Sequence, residues 1–282
     1  RTDQIEVAGN LLKQGQEKGL KGEQVDTLAA RIEASQGSKT SGDSLSSEKL
    51  QEVVSLYNQG KFEELMQQEN TLSEEFSRVP LLINILADAN FRFGRYSKAI
   101  NFYRRAIQLK PDYLEAYNNL GVAYKETGDL TAAIESYQKA ISLNPDQAAV
   151  HNNLGVALNK ISRFKESIKA YNKALELKPD YAEAYNNIGV AYNELGMNEN
   201  AVTSYKKAIE FNNQYVSAYF NLGNAYRALD NNQDAIINYK KAIELNPNHM
   251  DTHSNIGVLL VELGRYDEAT ENYNRAIELD AK

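Results

Sequence analysis

Apolar residues recur along most of the chain at intervals of three, four and seven, separated by charged and amide side chains. In the segment 114–147 the apolar set is Leu120, Tyr124, Ala133, Tyr137, Ala140 and Ile141. This spacing places apolar side chains on one face of an α-helix, whereas a half-buried β-strand needs them at every second residue. The segment is therefore predicted to form amphipathic helices.

The second helix of this segment is predicted to end at Asn144-Pro145-Asp146. Proline has no backbone N–H group, and it disfavours helical geometry in the residue before it. Gly121 and Ala140 are small, so two helices are able to approach closely there. Because a single helical hairpin cannot bury its apolar face, we expect neighbouring hairpins to stack into a solenoid.

The hairpin recurs with a period of 34 residues. Residues 117–124 read YNNLGVAY, residues 185–192 read YNNIGVAY, and residues 151–158, midway between them, read HNNLGVAL. Carried along the chain, this frame predicts a solenoid over 46–282, with a divergent first unit. The units are 46–79, 80–113, 114–147, 148–181, 182–215, 216–249 and 250–282.

The unit resembles the tetratricopeptide repeat (TPR) family. That family has an aromatic residue at position 4, Leu-Gly at 7 and 8, Tyr at 11, Ala at 20 and 27, an aromatic residue at 24 and Pro at 32. The resemblance implies an all-α, right-handed superhelical solenoid of helix-turn-helix repeats. The unit 114–147 matches with Tyr117, Leu120, Gly121, Tyr124, Ala133, Tyr137, Ala140 and Pro145.

The first 45 residues do not follow the repeat. They are polar with little apolar periodicity, and residues 36–47 are rich in Gly and Ser, which is typical of a flexible linker. We expect the segment 1–45 to be either a helical hairpin or flexible. At the other end, Lys282 closes a repeat and no polar capping helix follows. This predicts a fragment of a longer protein or, alternatively, self-association through the uncapped end.

The resemblance also implies a binding surface, because positions 2, 5, 6, 9, 12 and 13 of each first helix line the concave groove of a TPR solenoid. Position 6 is Asn in five consecutive repeats, and position 5 adds Asn118, Asn152 and Asn186. The candidate site residues are Asn119, Asn153, Asn187, Asn221 and Asn255 at position 6, Val122, Val156, Val190 and Asn224 at position 9, and Glu115, Glu183 and Asp251 at position 2.

A regular row of amides suits the main chain of a peptide, since each amide offers one acceptor and two donors. The row is similar to the TPR region of O-linked N-acetylglucosamine transferase, which implies that the position-6 asparagines grip a ligand backbone. Asn at this position is also common in TPRs generally, where it serves folding or solubility. A chaperone-tail clamp would need Lys at position 5 and Asn at position 9, and this chain lacks that combination.

Composition and charge narrow the function further. The chain has 31 basic and 38 acidic side chains and a net charge of −7, which argues against a nucleic-acid binder. It has no Cys, which excludes disulfides and thiolate metal sites but is compatible with any compartment. It has no apolar run long enough to span a membrane, so we expect a soluble protein, with the cytoplasm as its expected compartment. His151 and His253 occupy the aromatic position 4, and His249 lies in a loop, so no metal site is predicted.

No nucleophile motif or phosphate-binding loop occurs in the sequence, and no cofactor is predicted. We therefore expect a non-catalytic protein-interaction module that binds a protein or an extended polypeptide in its concave groove. Two alternatives stay open at this point. The chain is the substrate-recruiting arm of a larger enzyme, of glycosyltransferase or sulfotransferase type, or it is a self-assembling scaffold.

Overall fold

The computed structural model describes residues 43–280, and the regular structure within that range is entirely helical. The all-α architecture expected from the apolar spacing is thereby confirmed. In chain order the helices are α1 (Asp43–Asn58), α2 (Phe62–Gln67), α3 (Glu69–Glu75), α4 (Pro80–Arg92), α5 (Tyr96–Leu109), α6 (Leu114–Thr127), α7 (Leu130–Leu143), α8 (Ala148–Lys160), α9 (Phe164–Leu177), α10 (Ala182–Glu194), α11 (Asn198–Phe211), α12 (Val216–Ala228), α13 (Asn232–Leu245), α14 (Met250–Glu262) and α15 (Tyr266–Asp280).

The described residues divide into two compact units, one that ends at Phe62 and one that begins at Glu63. In the first unit, α1 begins at Asp43, so residues 43–47 of the Gly/Ser-rich stretch are helical. Gly60 turns the chain with a φ of +72°, and Tyr57 packs edge-on against Phe62 at 5.7 Å between ring centroids. The hairpin or flexible segment expected over 1–45 lies almost wholly outside the described residues.

In the second unit, α3 is a short helix attached to the first regular hairpin through a buried carboxylate. Glu69 is 4% exposed, and its two oxygens accept hydrogen bonds from Asn90 Nδ2 at 2.8 Å and Lys98 Nζ at 2.7 Å. A buried carboxylate is tolerated only when it is paired and hydrogen-bonded in this way. Glu69 therefore joins α3 to both helices of the hairpin formed by α4 and α5.

From Pro80 onward the helices alternate as first and second members of a 34-residue hairpin. Each first helix starts at the residue that the sequence frame numbers as position 1, and each second helix ends shortly before a loop that leads into the next hairpin. The starting residues are Pro80, Leu114, Ala148, Ala182, Val216 and Met250.

From residue 114 onward, each hairpin has a glycine of its first helix packed against a tyrosine of its second helix. A Cβ atom added at Gly155 would lie 2.5 Å from Tyr171 Cε1, closer than any real carbon contact, so only glycine fits there. The position-24 tyrosines from Tyr103 to Tyr239 are buried and Tyr273 is half-buried, which places each ring between the two helices of its hairpin. The same contact recurs in five hairpins, at Gly121–Tyr137, Gly155–Tyr171, Gly189–Tyr205, Gly223–Tyr239 and Gly257–Tyr273.

The stacking of hairpins determines which helices face inward. First helices of successive hairpins contact each other directly, from α4 to α6 and onward to α12. Within the described residues, no two successive second helices make a comparable contact. A stack in which one set of helices is closer together than the other curves toward the closer set. The first helices therefore line the concave side, and the site residues predicted from the sequence are all on them or immediately beside them.

Candidate functional site

The predicted groove residues lie at the surface of the first helices with intermediate exposure. The five position-6 asparagines are half-buried, as are Val122, Val156, Val190 and Asn224. Among the position-2 carboxylates, Glu115 is half-buried, whereas Glu183 and Asp251 are exposed. The three rows therefore form a face that is partly covered by neighbouring repeats and partly open to solvent.

The position-6 amides are tied to the preceding repeat. In the middle of the solenoid each of them donates from Nδ2 to the side-chain oxygen of a position-5 asparagine one repeat earlier, so these bonds cross the boundaries between hairpins. The distances are 3.1 Å from Asn153 to Asn118, 3.1 Å from Asn187 to Asn152 and 3.0 Å from Asn221 to Asn186.

At the two ends of this row the acceptor is at position 9 instead. Asn119 Nδ2 donates to Asp88 Oδ1 at 3.1 Å, and Asn255 Nδ2 donates to Asn224 Oδ1 at 2.9 Å. In both cases the tyrosine at position 24 donates its hydroxyl to the same oxygen. These second donors are Tyr103, which bonds Asp88, and Tyr239, which bonds Asn224 at 2.6 Å.

Where position 9 is valine, the tyrosine beneath it has no such acceptor. The Tyr137 hydroxyl is buried and makes no hydrogen bond with any described residue. Burial raises the pKa of Tyr137 well above its ordinary value, and the nearby Glu126 carboxylate raises it further. Tyr239, which does have a partner, has its pKa raised by burial to about 12. These phenols therefore stay neutral at physiological pH and serve as packed rings.

The network leaves part of each middle amide available. No described residue donates a hydrogen bond to Oδ1 of Asn153, Asn187 or Asn221, and each Nδ2 group has a second hydrogen beyond the one used in the network. One acceptor and one donor per repeat match the single N–H and C=O of a peptide unit. The arrangement is thus suited to hydrogen-bonding a main chain.

Two of the position-5 asparagines, which the sequence places beside this row, lie deeper than it, whereas Asn118 is half-buried like the row itself. Asn152 is 1% exposed and Asn186 is 6% exposed, so they support the surface amides from below. Asn152 also donates to Glu183 Oε1 at 3.1 Å, which links the carboxylate row to the amide row. Sequence reasoning did not identify this role, nor that of Asp88. The recurrence of Asn at positions 5 and 6 together was the available signal.

The histidines have structural partners. Nε2 of His151 lies 2.8 Å from the carbonyl oxygen of Pro145, and Nε2 of His253 lies 3.1 Å from that of Pro247. His249 precedes α14, and its Nδ1 accepts the backbone N–H of Thr252 at 3.3 Å. Across residues 43–280 no group of three metal-ligating side chains comes together, and no helix in that range is long and apolar enough to cross a bilayer.

Comparison with known sequences identifies the family. Profiles described as TPR repeat match residues 87–128, 123–162, 158–196 and 191–230, and one described as tetratricopeptide repeat matches 214–282. Together these matches span residues 87–282, which is more than half of the chain. The chain belongs to the tetratricopeptide repeat family. Membership confirms the resemblance drawn from the 34-residue pattern and indicates a protein-interaction module.

Individual relatives match over shorter stretches. The uncharacterized protein ycf37 of Pyropia yezoensis is 45% identical over 49 residues, which is 17% of this chain and 28% of that protein. The rhomboid protease GluP of Bacillus subtilis (strain 168) is 30% identical over 77 residues, 27% of this chain and 15% of that protein. The chain thus matches less than a third of the length of either curated relative.

Among solved structures, a crystal structure of MamA is similar in both fold and sequence. It has a TM-score of 0.54 and 29% sequence identity, and the match covers 57% of this chain and 94% of MamA. The similarity extends over nearly the whole of that protein. The all-helical repeat architecture described above is therefore shared with an experimentally determined TPR structure.

Proposed function

We propose that this TPR protein binds an extended polypeptide along the first helices of its central repeats, mainly through the ligand's main chain. The observation that carries the proposal is the unused Oδ1 and second Nδ2 hydrogen on Asn153, Asn187 and Asn221. These groups repeat at each hairpin, so a ligand that runs along the solenoid meets equivalent partners in register. Backbone recognition of this kind depends little on ligand side chains.

The valine row supplies the apolar part of the same surface. Val122, Val156 and Val190 are half-buried and occur once per repeat, three residues after the position-6 amide. Covering the exposed part of one such valine is worth about 1 kcal/mol, so each repeat offers an apolar contact comparable with its hydrogen bonds. The ligand is therefore expected to place small apolar side chains against these valines while its backbone faces the amides.

The test is a selection of 15-residue peptides from a randomised display library on the wild-type chain, followed by binding measurements on variants. We expect the combined replacement of Asn153, Asn187 and Asn221 by Ala to weaken the selected peptides by at least about tenfold, because each lost hydrogen bond costs about 1 kcal/mol. Circular dichroism and thermal unfolding would establish that the variant is folded.

The matched control replaces three asparagines that are exposed on the second helices, Asn101, Asn172 and Asn274, by Ala. This control removes the same number of amides from the surface without touching the groove. Equal affinity of the groove variant, the control variant and the wild-type chain would exclude the groove as the binding surface.

A second candidate function is that the repeats recruit substrates for an enzyme of which they are one part. It is favoured by the match to a segment of a rhomboid protease, most of which lies outside the matched region. The coding sequence of the natural gene that contains these residues tests this second candidate. A coding sequence containing no catalytic domain would eliminate this candidate, and the groove proposal would be unaffected.

A further inference from the structure

The orientations of two groove amides, Asn153 and Asn187, can be traced through the hydrogen-bond network to two carboxylates. A side-chain amide turned by half a revolution exchanges its donor and acceptor ends with almost no change of shape. A neighbour that only accepts removes this ambiguity, and a carboxylate is such a neighbour. Asp88 and Glu183 are both hydrogen-bonded to amides of the network, so each determines which way its partner faces.

The path from Glu183 is short. Its Oε1 accepts from Asn152 Nδ2, and the oxygen of Asn152 is therefore directed toward the next first helix. That oxygen accepts from Asn187 Nδ2 at 3.1 Å. Since Asn187 must donate at this contact, its own Oδ1 is directed away from the network and toward the open face.

The path from Asp88 is longer and ends in the same way. Asp88 accepts from Asn119, whose Oδ1 in turn accepts from Asn118 Nδ2 at 3.1 Å. The oxygen of Asn118 is then free to accept from Asn153 Nδ2 at 3.1 Å. Each hydrogen bond in this series fixes which end of the next amide donates. Asn153 must therefore donate to Asn118, and its Oδ1 is also directed outward.

Asn221 provides an internal comparison. Its Nδ2 donates to Asn186, but no described residue that only accepts is bonded to Asn186. The pair Asn186–Asn221 therefore keeps its hydrogen bond if both amides turn over together. Two of the three middle amides are fixed as acceptors toward the ligand, and the third is not.

We propose that Asp88 and Glu183, acting through Asn118, Asn119 and Asn152, are positioning residues that present Asn153 and Asn187 to the ligand as hydrogen-bond acceptors. The inference rests on the proposed function and specifies its ligand more closely. The partner is an extended chain with a backbone N–H facing each of these two amides, so proline and other N-substituted residues are excluded there. At the position that faces Asn221 the requirement is relaxed.

The ligand-independent test is amide hydrogen exchange of Asn187, followed in side-chain ¹H–¹⁵N spectra of the whole chain. In the wild-type chain the Nδ2 proton bonded to Asn152 is expected to exchange at least about fivefold more slowly than the other. In Glu183→Gln, whose new side chain both donates and accepts, that difference is expected to shrink to about twofold or less. Asp251→Asn is the control, because it removes another exposed position-2 carboxylate that makes no hydrogen bond with a described residue. An unchanged difference in Glu183→Gln overturns the proposal.

The ligand-dependent test uses one selected peptide and a series of copies in which single backbone amides are replaced by esters. An ester lacks the N–H, so we expect losses of about tenfold at the two positions facing Asn153 and Asn187. In Glu183→Gln the loss at the Asn187 position should fall to about twofold, since that amide is free to turn its N–H toward the ester, whereas the Asn153 position should be unchanged.

The two proposals fail in different ways. A peptide whose affinity survives loss of Asn153, Asn187 and Asn221 contradicts the groove as a binding site. A peptide that depends on these three amides, yet shows the same ester profile on the wild-type chain and on Glu183→Gln, overturns only the positioning role. Rescue of the wild-type profile by Glu183→Asp, which restores an acceptor-only group, would support it.

Discussion

The three middle repeats, 114–215, and the two repeats that flank them, 80–113 and 216–249, satisfy the same amide in different ways. In the flanking repeats position 9 is polar, as Asp88 or Asn224, and accepts both the tyrosine hydroxyl beneath it and the amide of the next repeat. In the middle repeats position 9 is valine, and a position-5 asparagine accepts the amide instead. The position-6 amide is thus accepted either by a polar residue at position 9 or by an asparagine at position 5 of the preceding repeat.

The difference indicates the free-energy cost of having valine at position 9 of the groove. With valine at position 9, the buried hydroxyl of Tyr137 has no partner among the described residues, a deficit worth about 1–3 kcal/mol. In exchange the surface above it is apolar and continuous over three repeats. We therefore expect the repeat that contains Tyr137 to be less stable than it would be with a polar acceptor at position 9.

The largest expected effect comes from giving a flanking repeat the chemistry of the middle. Asn224→Val removes the acceptor shared by Tyr239 and Asn255, and position 5 of that repeat is Phe220, which cannot accept the amide. Two donors lose their partner, so we expect the free energy of unfolding to fall by about 3 kcal/mol. Urea denaturation measures it. Asn224→Asp, which keeps the acceptor, should remain within about 0.5 kcal/mol of wild type, and a loss as large in that variant would contradict the shared-acceptor account.

The reverse exchange should affect binding more than folding. Val122→Asn places an acceptor above the Tyr137 hydroxyl and removes one valine from the groove. We expect the affinity for selected peptides to fall about tenfold, because apolar contact worth about 1 kcal/mol or more is lost. The free energy of unfolding should rise by about 1 kcal/mol. Calorimetry and denaturation on the same sample would separate the two effects, and a fall in both would argue against the exchange.

Removing a single hydroxyl compares the two kinds of repeat most directly. Tyr239→Phe deletes a hydroxyl that donates to Asn224, and we expect it to destabilise the chain by about 1 kcal/mol. Tyr137→Phe deletes a buried hydroxyl that has no hydrogen-bond partner within residues 43–280, so its effect should be near zero or slightly stabilising. Thermal unfolding of the two variants side by side is sufficient. Equal losses would mean that the pairing at position 9 does not matter.

The smallest effect should be the same in both kinds of repeat. Ser162 in the middle and Asp230 in a flanking repeat adopt positive φ angles of 60° and 56°, where the other turns of the solenoid have glycine. Replacing either by Gly relieves backbone strain but frees the unfolded chain, and we expect a net gain of about 0.5 kcal/mol. Gly196→Ala, at φ +72° with open space around it, should instead lose about 1 kcal/mol. A loss of stability in both variants would contradict the account of strain at these turns.

The period of the sequence was sufficient to predict the hairpins, their starting residues and the small residues between their helices. All of these depend on local spacing and on side-chain volume, which can be read from a single chain. The hydrogen-bond partners of the amides could not be predicted in this way. Whether Asn119 bonds an acceptor at position 5 or at position 9 depends on which acceptor lies within about 3 Å. The role of Asp88 could not be predicted because its repeat lacks the Leu-Gly pair by which the repeat is recognised.

The paired asparagines have a consequence for how such an array changes in length. Each middle repeat has its own connector, with a donor at position 6 for the repeat before it and an acceptor at position 5 for the repeat after it. If the unit 148–181 were deleted as a whole, Asn187 would lie next to Asn118 in place of Asn152. Asn187 would then donate to Asn118, and no amide of the row would lose its hydrogen-bond partner. Repeats of this kind can therefore be duplicated or deleted as whole units. Each such change lengthens or shortens the groove without a compensating mutation elsewhere.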